Sequence, residues 1–179
     1  QVGIKNDTAT NQYYRYDANS NLTCRYDAKG SVSYTYNATN QRISLTDNYG
    51  SGCGAIPTTA RTTTYQYLSP TLDLPTVIDS PSVAGGATKK RTTLNYTDTR
   101  FPTLPTSITQ NGYTPAGVPV SRSVTLAYNA QGQVSTINGP RLPSDPGMAG
   151  VDDLTTLTYY TCTTGSACET RRLAPSWRG

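Results

Sequence analysis

A tyrosine followed by an aspartate or asparagine recurs every ten residues near the start of the chain. The three pairs are Tyr16-Asp17, Tyr26-Asp27 and Tyr36-Asn37. The residues after each pair are rich in Asp, Asn, Ser and Gly, which favour tight turns through local hydrogen bonds or positive φ. Strands of about five residues joined by turns of four or five give this spacing. The pattern therefore predicts an antiparallel β-meander.

The side chains between these pairs alternate in character, and a strand places alternate side chains on opposite faces. We therefore expect the sheet to have one apolar face and one polar, solvent-exposed face. We expect each recurring tyrosine where a strand enters its turn, with its ring over the neighbouring strand and its hydroxyl at the rim. The apolar set occupies even positions: Tyr14, Tyr16, Leu22, Cys24, Tyr26, Val32, Tyr34 and Tyr36.

The composition is that of a hydrophilic all-β protein. The chain has 14 Tyr against one Phe and one Trp, and hydrophobic residues make up only 35% of it. The fold can therefore bury only a small apolar surface. Tyr and Thr are strand formers, and a charged fraction of 15% is too low for a typical disordered polyelectrolyte. A chain of 179 residues is long enough for one domain and short for two.

A longer period follows the first fifty residues. Segments that run from Arg to Tyr recur about thirty residues apart, at residues 61–67, 91–96 and 122–128, and such internal repetition is typical of repeat architectures. We predict a single repeat domain over residues 1–179. Its parts are short-period repeats in 1–49, a Gly-rich connector in 50–60, longer units in 61–168 and a C-terminal tail in 169–179.

These repeats resemble the YD repeats of the RHS family, whose pattern is Tyr-Asp-x-x-Gly-x-Leu. Ser20 replaces the usual glycine, and asparagine twice replaces the aspartate, which still favours a turn. The resemblance implies a structural role for the matching residues. They are Tyr16, Asp17, Tyr26, Asp27, Gly30, Tyr36, Asn37, Tyr128, Asn129 and Gly132.

The same resemblance implies an open sheet that is curved or spirals. In complete family members the sheet closes into a shell around a toxin polypeptide, which makes such a polypeptide one expected partner here. The resemblance also implies a location at the surface of a bacterial cell or outside it.

The absence of histidine constrains chemistry most. It excludes Ser-His-Asp, Cys-His and His-metal sites, and with them the commonest general base at neutral pH. A carboxylate pair, Asp152 with Asp153 or Asp17 with Asp27, is an alternative, but we favour solvated turn residues. We predict no catalytic, cofactor-binding or metal-binding residues and no enzyme activity.

The four cysteines lie at positions 24, 53, 162 and 168 and contain no Cys-x-x-Cys zinc knuckle. Three disulfide pairings are open if the protein is exported. We favour Cys162–Cys168, because the five-residue loop between them can turn back, and this leaves Cys24–Cys53. Free buried cysteine is the alternative.

The expected partners follow from charge and from sheet edges. A net charge of +4 without a long basic run argues against nucleic acid, and no apolar segment reaches the 18 residues of a membrane span. Exposed strand edges invite further strands. We therefore expect a homo-oligomer, or further repeats of a longer chain, joined through sheet edges.

Together these features predict a non-catalytic structural β-scaffold. It would be a building block of a larger shell or of a self-assembling extracellular fibre. The alternative is a cell-surface or carbohydrate-binding module with a surface glycan as partner, since exposed tyrosines stack on sugars. The predicted placement of most tyrosines on the apolar face disfavours that alternative.

Overall fold

The computed structural model describes residues 2–5, 11–47, 53–54, 60–85, 88–140 and 153–159. Within these ranges the chain forms strands and no helix. Strands that follow one another in sequence are neighbours in one open sheet, which confirms the predicted all-β class and antiparallel meander. The strands are β1 (Val2–Lys5), β2 (Asn11–Tyr16), β3 (Leu22–Asp27), β4 (Gly30–Tyr36), β5 (Arg42–Asp47), β6 (Arg61–Ser69), β7 (Leu72–Pro81), β8 (Lys89–Asn95), β9 (Ser107–Tyr113), β10 (Pro119–Tyr128), β11 (Val134–Asn138) and β12 (Leu154–Thr156).

The contacts divide the chain into two compact units. The first comprises Gln1–Thr92 with Asn111–Val120, and in it β1 to β7 pair antiparallel in sequence order. The second comprises Thr93–Gln110 with Ser121–Gly179, and in it β10, β11 and β12 pair in the same way. The single repeat domain and its subdivisions stay predictions.

The three Arg-to-Tyr segments found in the sequence become alternate strands of the meander. They correspond to β6, to β8 with the residue after it, and to β10. Thr and Tyr dominate these segments, and such residues fit the pleated, half-buried surface of a sheet. The period of about thirty residues is therefore the length of one two-stranded hairpin with its connections.

The predicted single face for even-numbered residues is wrong. Side chains directly opposite each other in an antiparallel pair lie on the same face. Tyr26 lies opposite Ser31, and Tyr34 lies opposite Leu45. Because Ser31 and Tyr34 stand on opposite faces of β4, so do Tyr26 and Tyr34. The two-residue turn between β3 and β4 causes this, since it pairs odd positions of one strand with even positions of the next.

Few of the described side chains are buried. Among the apolar ones only Cys24 and Tyr128 are, with 4% and 8% of their surface exposed, and most strand residues are half-buried. Hydrophobic stabilisation scales with the apolar area removed from water. The hydrogen bonds at the strand ends therefore contribute a larger share of the stability here than in a protein with a large hydrophobic core.

Candidate functional site

Three five-residue loops, here called Asx loops, share one set of hydrogen bonds; they are residues 17–21, 37–41 and 129–133. In the first loop the backbone N–H of Asp17 donates to the carbonyl of Asn21 at 3.0 Å, and the N–H of Ser20 donates to the carbonyl of Asp17 at 3.2 Å. Oδ1 of Asp17 accepts from the N–H groups of Asn19 and Asn21, both at 2.9 Å. The first side chain thus organises the whole loop, as Asx side chains do in turns.

Asn37 and Asn129 repeat this arrangement with a side-chain amide. Their Oδ1 atoms accept from the N–H groups two and four residues later at 2.9 to 3.0 Å. Their Nδ2 atoms donate to the side-chain oxygens of Gln41 and Gln133, both at 2.8 Å. Asparagine therefore replaces aspartate in these loops without loss of a hydrogen bond.

The fourth residue of each Asx loop has a positive φ. The angles are 65° at Ser20, 63° at Asn40 and 75° at Gly132. This left-handed region costs a residue with a side chain roughly 1–2 kcal/mol, and asparagine tolerates it better than most. The glycine of the family pattern occupies this position because it avoids that cost.

Sequence analysis missed a fourth loop of the same shape, residues 114–118. The N–H of Thr114 donates to the carbonyl of Val118 at 2.8 Å, and the N–H of Gly117, with φ of 79°, donates to the carbonyl of Thr114 at 2.9 Å. The hydroxyl of Thr114 replaces the Asx oxygen and accepts from the N–H of Val118 at 3.2 Å. Tyr113 before it and a glycine in the fourth position were the available signal.

Several tyrosine hydroxyls donate a hydrogen bond to a backbone carbonyl at or near the start of the preceding strand. This interaction is here called a tyrosine tether. In three tethers the acceptor is the carbonyl of the first residue after an Asx loop, and the donor lies on the next strand along the chain or, for Tyr159, three residues after it. The tethers are Tyr36 to Leu22 at 2.9 Å, Tyr67 to Arg42 at 2.7 Å and Tyr159 to Val134 at 2.8 Å.

Tyr128 forms a fourth tether within the second unit. Its hydroxyl donates to the carbonyl of Pro105, just before β9, at 2.7 Å. Its ring meets Phe101 edge to face with centroids 6.2 Å apart, and the guanidinium of Arg100 donates to its carbonyl at 3.3 Å. Tyr128 therefore joins the long β8–β9 connection to the end of β10.

The other two tyrosines of the repeat pattern, Tyr16 and Tyr26, have surroundings different from those of the tethering tyrosines. Tyr16 precedes an Asx loop but is 52% exposed. Tyr26 stacks on Tyr13 and precedes the two-residue turn of β3 and β4, in which Oδ1 of Asp27 accepts from the N–H of Lys29 at 2.8 Å. Gly30, directly opposite Asp27, has a φ of 141°. The second Tyr-Asp pair thus forms a tight hairpin and not an Asx loop.

Side chains also connect neighbouring turns in the first unit. Oδ1 of Asn40 accepts from Nδ2 of Asn19 at 3.1 Å and from Nδ2 of Asn21 at 2.8 Å. The buried amide of Gln41 donates to the carbonyls of Ser69 and Leu72, both at 2.9 Å. The turns after β2, β4 and β6 are therefore joined in a row by side-chain amides.

The electrostatics of these groups suits a structural role. The side-chain hydrogen bond from Asn21 lowers the pKa of Asp17, and paired guanidinium groups lower the pKa of Asp79 and Asp98. These carboxyl groups are ionised at neutral pH and accept hydrogen bonds. Burial raises the pKa of the tethering tyrosines Tyr36, Tyr67 and Tyr128, so their hydroxyls remain protonated donors.

A disulfide joins Cys24 of β3 to Cys53, with Cα atoms 6.0 Å apart. The guanidinium of Arg15 donates to the carbonyl of Cys53 at 3.3 Å. The predicted Cys24–Cys53 bridge is thus present, and Cys162 and Cys168 lie outside the described residues. Of the proposed carboxylate pairs, Asp17 and Asp27 serve separate turns, and Asp152 is outside the described residues.

In the part of the chain that the structure describes, no helix is long and apolar enough to cross a membrane. Among the same residues, no cluster of three or more His, Cys, Asp or Glu side chains could hold a metal ion.

A family model described as RHS Repeat matches residues 16–51. The match spans two of the Asx loops and the tether from Tyr36, and it confirms the resemblance to the RHS and YD repeats for this part of the chain. No curated protein matches the chain. The Asx loop at residues 129–133 lies outside the matched segment but has the same hydrogen bonds, so the structure extends the repeat geometry beyond it.

Proposed function

We propose that this chain, in which residues 16–51 match an RHS repeat, is a non-catalytic structural β-scaffold. It serves as a building block of a larger shell or of a self-assembling extracellular fibre. The proposal rests on the hydrogen bonds that the repeated side chains form with the backbone. The Asx side chains of the repeats accept hydrogen bonds from the protein's own backbone, and the hydroxyls of Tyr36, Tyr67 and Tyr128 donate to it.

Such use of polar groups argues for scaffolding. A catalytic group needs a pKa matched to proton transfer and a position open to a substrate. Asp17, Asp79 and Asp98 have lowered pKa values caused by hydrogen bonds from their neighbours. Each contributes to a turn or an ion pair, which supports a role in shape and not in reaction.

The case for assembly depends on the two edge strands of the sheet. The first and last strands in the order, β1 and β12, each pair with one described strand. The outer side of an edge strand can template another strand through its N–H and C=O groups. Contacts between different edges that do not close by rotation generate filaments, and those that close generate rings or shells. Further repeats of a longer chain would satisfy the same edges.

The family match and the disulfide support the predicted location. A resemblance to RHS proteins points to the bacterial cell surface or the space outside the cell. The Cys24–Cys53 bridge fits an oxidising compartment, because cytosolic thiols are kept reduced. A toxin polypeptide is the cargo that the resemblance suggests for a closed shell.

Electron microscopy of the purified chain, together with light scattering over a range of concentrations, tests the scaffold. We expect concentration-dependent filaments or closed particles. Thr155→Lys, at an exposed position of β12, should reduce assembly, because charged side chains blunt strand edges. Thr125→Lys, exposed on the inner strand β10, is the matched control. A strict monomer at the highest concentration would contradict self-assembly, and a saturable reaction with a small substrate would contradict the non-catalytic role.

One observation favours the alternative of a carbohydrate-binding module. The pairings Tyr14 with Arg25, Arg25 with Val32 and Val32 with Asp47 place an aromatic ring and charged groups on one face. These residues line a cavity of about 330 Å³. Saturable binding to a sugar on a glycan array, abolished by Tyr14→Ala, would support this alternative. If the chain binds no sugar on the array, the scaffold is the better proposal.

A further inference from the structure

Tyr13 and Tyr26 form a stacked aromatic pair. Their ring centroids are 4.6 Å apart and their planes differ by 11°. The two residues lie directly opposite each other in the register of β2 and β3, so the paired backbones hold both rings in place. Both side chains are half-buried, and a small oxidant or a radical carrier can therefore reach the ring edges.

The tyrosines Tyr34 and Tyr65 provide a contrast. They lie on β4 and β6, with β5 between them. The guanidinium carbon of Arg42 on β5 lies 5.8 Å from the ring centroid of Tyr34 and 5.1 Å from that of Tyr65. A cation and a whole strand thus separate these two rings, whereas nothing separates the rings of the stacked pair.

We propose that Tyr13 and Tyr26 form a site of oxidative cross-linking, at which a peroxide-driven one-electron oxidant of the peroxidase class joins the two rings. Each phenol loses one electron and one proton and becomes a tyrosyl radical. The two radicals couple through carbons ortho to their oxygens, and the hydrogens on those carbons move to the oxygens to restore both phenols. One hydrogen peroxide molecule takes up the two electrons and two protons and becomes two water molecules.

Proximity is the physical reason that this pair reacts before the other tyrosines. Holding two reactants in contact makes their coupling effectively unimolecular. The bond would connect β2 to β3 next to the Cys24–Cys53 bridge, and thiol reductants would not break it. The inference depends only on the geometry of one pair, and it stands whether or not the chain assembles as a scaffold.

The test treats the full chain, at high dilution, with a peroxidase and a limiting amount of hydrogen peroxide. We expect a monomer that lacks the mass of two hydrogen atoms, has dityrosine fluorescence, and yields on digestion one cross-linked pair of peptides containing Tyr13 and Tyr26. Tyr13→Phe should lower the intrachain dityrosine yield by about tenfold, because phenylalanine has no phenol to oxidise and Tyr26 then has no reactive partner held beside it. Tyr65→Phe, which removes one hydroxyl elsewhere on the sheet, should leave the yield unchanged.

Tyr26→Phe is a second variant for the case that Tyr13→Phe fails to fold, and urea should abolish the preference for this pair in the wild-type chain. The proposal is overturned if the folded Tyr13→Phe and Tyr26→Phe variants give the wild-type yield. It is equally overturned if peptide mapping finds other tyrosine pairs, or only links between different chains.

Discussion

The hydroxyl of Tyr36 donates a hydrogen bond of 2.9 Å to the carbonyl of Leu22, the residue that follows the first Asx loop. The donor ends one strand and the acceptor begins the strand before it. A tyrosine here provides both a ring that covers the neighbouring strand and a donor that reaches its backbone, and phenylalanine provides only the ring. The hydroxyl is therefore the part of the repeated tyrosine that the tether requires.

Tyr36→Phe should lower the free energy of unfolding by about 1 kcal/mol, the typical net value of one hydrogen bond. Tyr34→Phe is the matched control, because Tyr34 lies on the same strand and contacts Arg42 through its ring. We expect the control to change stability by much less. Urea unfolding followed by circular dichroism measures both variants, and equal losses would show that the tether contributes nothing specific.

Acid should weaken the loop at residues 17–21 and leave the loop at residues 37–41 intact. Hydrogen bonds from Asn21 lower the pKa of Asp17 below its ordinary value of 3.8. The stabilisation they provide is fully present above the unfolded pKa and is lost as pH falls through the folded one. Asn37, in the equivalent position, carries no titrating group. Amide chemical shifts of Asn21 and Gln41, followed by NMR during acidification, compare the two loops.

Asp17→Asn combined with Asn21→Gln should abolish the acid response of the first loop while keeping its shape, since Asn37 with Gln41 and Asn129 with Gln133 organise the same loop through amides. If the variant still opens in acid, or if both wild-type loops open together, another group must control the transition.

Gly132→Ala should destabilise the fold more than Gly117→Ala. Both glycines have positive φ, 75° and 79°, so both substitutions cost roughly 1–2 kcal/mol of backbone strain. A Cβ at residue 132 would also stand 3.1 Å from Cε1 of Phe101, whereas a Cβ at residue 117 meets nothing within 4 Å. We expect the extra cost to be about 1 kcal/mol. Urea midpoints provide the comparison, and Phe101→Leu should narrow the difference if the ring is responsible.

The double substitution Cys24→Ser with Cys53→Ser should lower the free energy of unfolding by about 3–4 kcal/mol, because the disulfide closes a long loop in the unfolded chain. The sequence separation of the two cysteines is 29. In the presence of a thiol reductant, the wild-type chain and the variant should be equally stable. Thermal unfolding with and without reductant measures the effect, and a variant as stable as the oxidised wild type would contradict it.

Local patterns in the sequence predicted the strands and the Asx loops because both depend on neighbouring residues. A turn needs only a short polar side chain and a residue that accepts positive φ, and Asn129 and Gly132 supply these within one five-residue loop. The loop that begins at Thr114 escaped because a threonine hydroxyl replaces the Asx oxygen.

The faces and the tethers could not be predicted in the same way. Which face a side chain occupies depends on the length of every turn before it, and the short turn after Asp27 reversed the alternation. The tether from Tyr67 to Arg42 joins residues 25 positions apart, so no local pattern reveals it. The buried amide of Gln41, which reaches Ser69 and Leu72, is hidden from the sequence for the same reason.

Every tyrosine tether described above joins two neighbouring strands or residues within three positions of their ends. Coupling confined to nearest neighbours makes stability close to a sum over hairpins. A duplication or deletion of one whole hairpin then preserves the remaining tethers, whereas a change within a hairpin separates a phenol from its carbonyl. We therefore expect the tethers to survive a change in chain length when the chain gains or loses two strands at a time.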